Sequence, residues 1–287
     1  MSDFGGALKK DLKPPYEFAL IGVPYDEKES YLSGPRKAPQ AIREASSSLI
    51  LNAWTELGIN LEEETRFVDL GDLPLTGGYQ DLSLKVASKV EEVAAQGAVP
   101  VVLGGDHSIS LPVARGLSRV YDSMAILHFD AHPDLYFELY GDKYSHACPF
   151  YRILEEGLVS ELTQIGIRAA TGEHHQCAQK FNVRMIEMKD LKRLEGLSFT
   201  RPLYISFDID VLDPAFAPGV SHPEPGGMST RQVINLIHRL QAEIVGVDLV
   251  EVNPDRDPLG LTAAAAVKII MEIMGKVVYD QKRKPRN

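Results

Sequence analysis

The sequence has only two cysteines, Cys148 and Cys177, in 287 residues. Two thiols cannot build the disulfide framework of a secreted scaffold, and a reducing cytoplasm is the expected compartment. No uninterrupted apolar stretch approaches the roughly 18 residues that a membrane span requires. The opening residues, Met1 to Pro15, mix Lys and Asp and lack the apolar centre of a signal peptide. Positive charge is also scarce, and the formal net charge is -10. That balance disfavours nucleic acid as a partner and suits a small cationic ligand. The one basic run, Lys282 to Arg286, stands at the extreme C-terminus beside Pro285 and reads as a solvated tail. No Pro/Gly/Ser-rich linker and no internal repeat divides the chain. One domain over 1–287 is expected, with about 1–15 as an N-terminal extension and 281–287 as the basic tail.

Apolar residues are plentiful, at 44%, and they gather in short continuous runs. These are Phe18–Val23, Arg66–Leu70, Ala98–Leu103, Met124–Phe129, Leu162–Ile167, Val183–Ile186, Leu203–Phe207 and Ile244–Val250. Runs that do not alternate are the mark of strands buried on both faces of a parallel sheet. Segments of helical spacing lie between them, such as Leu82–Gln96, Ser110–Ser118, Thr230–Leu240 and Thr262–Met274. The alternation predicts an α/β domain with helices on both faces of the sheet. In such sheets ligands bind beyond the carboxyl ends of the strands, and three of the runs end in polar clusters.

Gly104-Gly105-Asp106-His107-Ser108 follows the third run, where the glycines permit close backbone approach and leave His107 at the strand end. Taken alone, this cluster reads as a structural histidine rather than a ligand. Asp130-Ala131-His132-Pro133-Asp134 follows the fourth. If extended, it presents Asp130, His132 and Asp134 on one side. Asp208-Ile209-Asp210 ends the seventh, with both carboxylates on one face and Ile209 turned to the core, while Asp213 before Pro214 reads as a turn residue. Together these clusters offer two imidazoles and four carboxylates. Four carboxylates balance two divalent cations, and an oxygen-rich set with imidazole favours manganese over magnesium. Two such ions about 3.5–4 Å apart bring a shared water toward ionisation at neutral pH.

These residues resemble the ureohydrolase family of arginases and agmatinases. The resemblance includes Gly22–Asp26, Ala38–Arg43, Gly104–Ser108, Asp130–Asp134, Gln164–Arg168, Ser206–Gly219 and Glu251–Pro254, in order along the chain. It implies a three-layer α/β/α fold around an eight-stranded parallel sheet, and a site with two manganese ions. One ion is then held by His107, Asp130, Asp134 and Asp208, the other by Asp130, His132, Asp208 and Asp210. The implied reaction is attack on a guanidinium carbon by a hydroxide shared between the ions, releasing urea and an amine. Asp134 would carry the proton, Glu251 would bind the guanidinium, and His146 would relay protons or sit near the substrate. Glu224, in a Pro-Glu-Pro-Gly-Gly element, is expected at the pocket. His128 is a candidate for contact behind the ligands, Cys148 for packing near the site, and His174, His175, His222 and His238 for structural or exposed positions. The family implies a homo-oligomer, trimeric or hexameric.

Substrate choice rests on loops. Where arginases have an Asn that helps to bind the amino-acid carboxylate, this chain has Tyr136, as agmatinases resemble one another in having. Tyr136, Phe137, Glu138, Tyr140 and Asp142 are expected to form an aromatic and acidic lining suited to a terminal ammonium. Agmatine is therefore the expected substrate, with guanidinobutyrate, guanidinopropionate, arginine and formiminoglutamate as alternatives. A two-metal phosphoesterase would need a phosphate cradle that the clusters lack. A non-catalytic homologue would be expected to have lost some of these residues.

Overall fold

The computed structural model describes residues 4–5, 15–47, 52–193 and 196–283. Most of the expected N-terminal extension and residues 284–287 of the tail lie outside the described residues. All eight apolar runs form strands: β1 (Phe18–Gly22), β2 (Phe67–Asp72), β3 (Val99–Leu103), β4 (Ala125–Phe129), β5 (Glu161–Ile167), β6 (Arg184–Glu187), β7 (Leu203–Asp208) and β8 (Ile244–Val250). They make one parallel sheet in the order β2-β1-β3-β8-β7-β4-β5-β6.

Helices α1 (Ala38–Ser46), α2 (Leu61–Glu64), α3 (Tyr79–Ala95), α4 (Ser110–Ser118), α5 (Pro149–Glu155), α6 (Gly172–Phe181), α7 (Thr230–Arg239) and α8 (Leu261–Arg283) cover the sheet. Alternate strand residues face opposite layers. Phe18 and Leu20 pack with α1, α2, α7 and α8, whereas Ala19 and Ile21 pack with α3 to α6. Both faces are thus dry, which is why the strands read as continuous apolar runs. Each fully buried Phe or Leu in these layers contributes about 1.5–3 kcal/mol by leaving water.

Two boundaries differ from expectation. The last helix runs on to Arg283, so the first residues of the basic segment are helical, and Lys282 pairs with Glu64. Phe4, within the expected extension, is buried against Phe67, and its N–H donates to Asp69 Oδ2 at 2.9 Å. In both places one apolar or charged contact recruits residues that composition assigns to solvent.

The order of strands fixes the site. Four adjacent central strands, β3, β8, β7 and β4, point their carboxyl ends the same way. His107, Glu251, Asp208 and Asp130 stand at or just beyond those four ends.

Candidate metal centre and active site

The turn after β3 depends on glycine. A Cβ on Gly105 would lie 1.7 Å from the carbonyl oxygen of Tyr25. Asp106 then caps a 3-10 turn at His107–Ile109, its side chain accepting from Ser108 N at 3.0 Å. His107 is fully buried. Its Nε2 lies 3.0 Å from Ser206 Oγ, which donates to Asp248 Oδ1 at 2.9 Å. Ser206 and Asp248 are register partners on β7 and β8. Since the serine proton goes to Asp248, the serine oxygen accepts from His107 Nε2–H. That fixes the tautomer and leaves the Nδ1 lone pair free. His107 Nδ1 points among Asp134 Oδ2 at 3.0 Å, Asp130 Oδ2 at 3.2 Å and Asp208 Oδ2 at 3.3 Å, yet has no hydrogen bond.

The segment after β4 is not extended. The strand stops at Phe129, the chain bends at Ala131 and His132, and Asp134 takes a left-handed φ of 50°. Asp130, His132 and Asp134 converge because the backbone turns, not because alternate residues share a strand face. Likewise Asp208 ends β7 while Asp210 lies in a 3-10 turn at Ile209–Val211, with Ile209 in the core as expected. Asp208 Oδ1 accepts from Asp210 N at 2.7 Å, and Asp210 Oδ1 accepts from Ala131 N at 3.0 Å. Asp210 Oδ2 is left 2.9 Å from His132 Nδ1, which is 3.4 Å from Asp130 Oδ1. Asp130 therefore stands between two nests, one around His107 and one around His132.

His128 lies behind Asp130, and neither of its nitrogens is free. Gln164 Nε2 donates to Nδ1 at 2.9 Å, so Nε2–H donates to Asp130 Oδ2 at 2.8 Å. It orients the Asp130 carboxylate and has no free nitrogen to offer a cation.

The charges are unbalanced without a cation. Burial, with Asp210 and Asp130 nearby, pushes the Asp208 carboxyl well above the usual range, and burial also raises Asp210. Burial resists charge on His107 and His132 too, but the surrounding aspartates prevail and raise both. Asp130 goes the other way: burial opposes its ionisation, while His128, His107 and His132 hold it low. Buried carboxylates this close cannot all ionise unless something positive joins them. The orphaned His107 Nδ1 and the hard-oxygen donor set fit divalent cations in both nests.

Glu251 follows β8 in a left-handed conformation, φ 65°. Such residues cost about 1–3 kcal/mol and persist at functional sites. Its Oε1 accepts from His107 N at 2.8 Å, while Oε2 is buried with no partner. His146 Nδ1 lies 3.5 Å from Glu251 Oε1, and its Nε2 lies 2.9 Å from Ser30 Oγ. Burial lowers the His146 pKa.

A cavity of about 160 Å³ opens over these groups, lined by Asp134, Asp208, Asp210, Glu251, His132, His146, His174, His222, Tyr136 and Ser30, among others. The expected lining is only partly present. Tyr136 is there, its ring 4.1 Å from that of His174. Phe137, Glu138, Tyr140 and Asp142 are not among the lining residues. Tyr140 is 92% exposed, Phe137 lies beneath Arg152, and Asp142 pairs with Lys28 at 2.6 Å. Glu224 does not line the cavity either; its carbonyl accepts from Arg168 Nη2 at 2.7 Å, anchoring the loop.

Conversely, Ser30, His174 and His222 line the cavity without having been expected there. His174 Nδ1 accepts from Thr171 N at the start of α6, and burial holds its pKa at about 4. An N-cap threonine three residues upstream was the one available signal. His175 is exposed and His238 pairs with Glu272 at 2.7 Å, as a structural reading requires. Asp213 accepts three backbone N–H bonds as a turn residue. Cys148 is buried packing, its thiol pushed up to about 12 by burial.

Residues 16–275 match the model of the arginase family. "Arginase 1, mitochondrial" of Arabidopsis thaliana is 44% identical over 275 residues, covering 90% of this chain and 80% of that protein. Agmatinase of Proteus mirabilis is 36% identical over 272 residues, covering 90% and 86%. Among solved structures, arginase from Medicago truncatula superposes with a TM-score of 0.86 at 40% identity, covering 91% of this chain and 87% of that one. The agmatine ureohydrolase of Thermoplasma volcanium gives a TM-score of 0.86 at 30% identity, covering 99% and 97%. With the eight-stranded sheet and both donor nests in place at its centre, the chain belongs to the arginase family of ureohydrolases.

Proposed function

We propose that this chain hydrolyses the guanidino group of agmatine to give urea and putrescine, with manganese in both nests. The observation that carries the reading is Glu251, a buried carboxylate with an unpartnered Oε2 at the cavity beside the aspartate cluster. A guanidinium pairs with such a carboxylate through charge-assisted hydrogen bonds. His107, Asp130, Asp134 and Asp208 would hold one ion, and Asp130, His132, Asp208 and Asp210 the other. When bound, the pair supplies Lewis acidity and a water ionised near neutral pH.

The chain's own groups do the rest. Glu251 orients the planar cation over the cluster. Asp134, which lines the cavity with Oδ2 3.0 Å from His107 Nδ1, carries a proton to the leaving nitrogen. His146, held neutral by burial, accepts or returns a proton at Nδ1 on the Glu251 side. The charged groups named in the lining are carboxylates and imidazoles, which favours a substrate whose far end is an ammonium.

Arginine is the second reading. It is favoured by the 44% identity to a protein named arginase against 36% to one named agmatinase. Urea release by manganese-loaded enzyme on agmatine, arginine, guanidinobutyrate and guanidinopropionate, with a metal-stripped control, separates the two. A trimer or hexamer in the cytoplasm is the proposed setting. It rests on the family and on the free thiols, although the Arabidopsis relative carries a mitochondrial name.

A further inference from the structure

Glu29 follows β1 and His222 precedes the turn into α7, yet their side chains meet at the mouth of the cavity. His222 Nε2 donates to Glu29 Oε1 at 2.7 Å. The loop that carries Glu29 is pinned from both sides. Lys28 N donates to Asp106 Oδ2 at 2.9 Å, and Lys28 O accepts from His146 N at 3.3 Å. Ser30 N and Tyr31 N also donate to Glu29 Oε1, at 2.7 and 3.1 Å. The Glu29 side chain is 2% exposed, and its Oε2 has no partner. Burial opposes its ionisation, but His222 and His146 hold the carboxyl down at about 2.

A strip of rings leads outward from Glu251. His146 is beside Glu251, His222 stacks on His146 at 5.1 Å and 25°, and Tyr31 lies 5.7 Å beyond His222. Exposure rises along it, from 10% for the His146 side chain to 28% for His222. For an alkylguanidine seated on Glu251, this strip offers its chain a path toward solvent. With Nε2–H committed to Glu29, His222 presents its ring face and Nδ1, and Nδ1 has no partner among the described residues.

We infer that His222, held in place by Glu29, contacts the far end of the substrate and determines which alkylguanidine the site accepts. The inference rests on the guanidino-hydrolase reading above and deepens it. A distal ammonium finds an acceptor at Nδ1 and an aromatic face beside it. An α-carboxylate at the same place meets the Nδ1 lone pair, which cannot donate to it. Glu29 is a positioning residue, since it does not itself line the cavity.

The test measures kcat and KM for agmatine and arginine in wild type, His222→Ala, Glu29→Gln and the double variant, with manganese content by elemental analysis. His222→Ala and Glu29→Gln are each expected to retain the metal and to raise KM for agmatine more than they lower kcat. The ratio of kcat/KM for agmatine over arginine should fall roughly tenfold, the scale of one lost hydrogen bond. The double variant should be no worse than His222→Ala, because Glu29 acts through His222. An unchanged ratio in an active enzyme overturns this inference alone, as does loss of manganese from either variant. A wild type that accepts only arginine overturns the distal-ammonium assignment. A metal-loaded wild type inert on both guanidines overturns the proposed function, and this inference falls with it.

Discussion

Two groups of aspartates are taken out of water in this molecule, and the chain treats them in opposite ways. Near one edge of the sheet, Asp69 and Asp72 close around Arg43, which is only 3% exposed. The guanidinium forks onto Asp69, Nε to Oδ2 at 2.7 Å and Nη2 to Oδ1 at 2.9 Å, and reaches Asp72 with Nη1. Burial works against its charge, but the two aspartates keep it protonated. At the centre, Asp130, Asp134, Asp208 and Asp210 have imidazoles near them but, among the described residues, no Lys or Arg side chain paired with them. An acidic cluster that contains its own cation is architecture. One that lacks it is a vessel for something that arrives from outside.

Substitutions can break that contrast, and the largest effect is expected at the centre. Asp208→Asn should eliminate urea release and cost at least one metal equivalent per chain. In the metal-stripped protein the same change should raise the melting temperature, because burial and the neighbouring aspartates force Asp208 to take up a proton on folding, a cost that the amide does not carry. Calorimetry of both forms checks the sign, and a metal-stripped variant less stable than wild type would refute the repulsion. Glu251→Ala should keep both metals and raise KM or abolish turnover; loss of metal would mean that Glu251 belongs to the nests.

At the edge, Arg43→Met should cost about 3–5 kcal/mol of stability, as removal of one partner from a buried ion pair does. Denaturant titration measures it, and metal content should stay at the wild-type level in the folded protein. Ser206→Ala frees the tautomer of His107, so metal affinity should drop about 10–100-fold with little loss of stability. Asp142→Asn breaks only the partly exposed pair with Lys28 and should cost about 0.2–1 kcal/mol. Because Asp142 is not in the cavity lining, KM for agmatine should not move.

The sheet was legible in the sequence because its strands are buried on both faces, so that they are written as short, largely apolar runs, three of which end in polar clusters. The convergence of His107, Asp130, His132, Asp134, Asp208 and Asp210 was legible from those clusters, although the local geometry assigned to them was wrong. Asp134 at φ 50° is in a turn that period-two reasoning cannot foresee. The cavity walls were much less legible. Ser30 and His222 reach it from two separate loops and His174 from the first turn of α6, and spacing along the chain records nothing of such meetings. Phe137, Glu138 and Tyr140 look like lining by proximity to Asp134, but the tight reversal at Leu139–Asp142 turns them outward. Resemblance located the chemistry, while folded loops decide the company that the substrate keeps.

The strand order has a consequence for how the protein comes into being. Residues 18–103 supply β2-β1-β3 and residues 125–187 supply β4-β5-β6, two separate patches of sheet. Strands β7 and β8, near the end of the chain, form the wedge that joins them. His107 belongs to the first patch, Asp130–Asp134 to the second, and Asp208, Asp210 and Glu251 to the wedge. During synthesis both inner edges stay open until the wedge arrives, with the long-range pairing that slows folding and invites association. The catalytic centre is thus the keystone of the molecule as well as its purpose: it comes into existence with the last closure of the sheet, and an ion bound there would lock that closure in place.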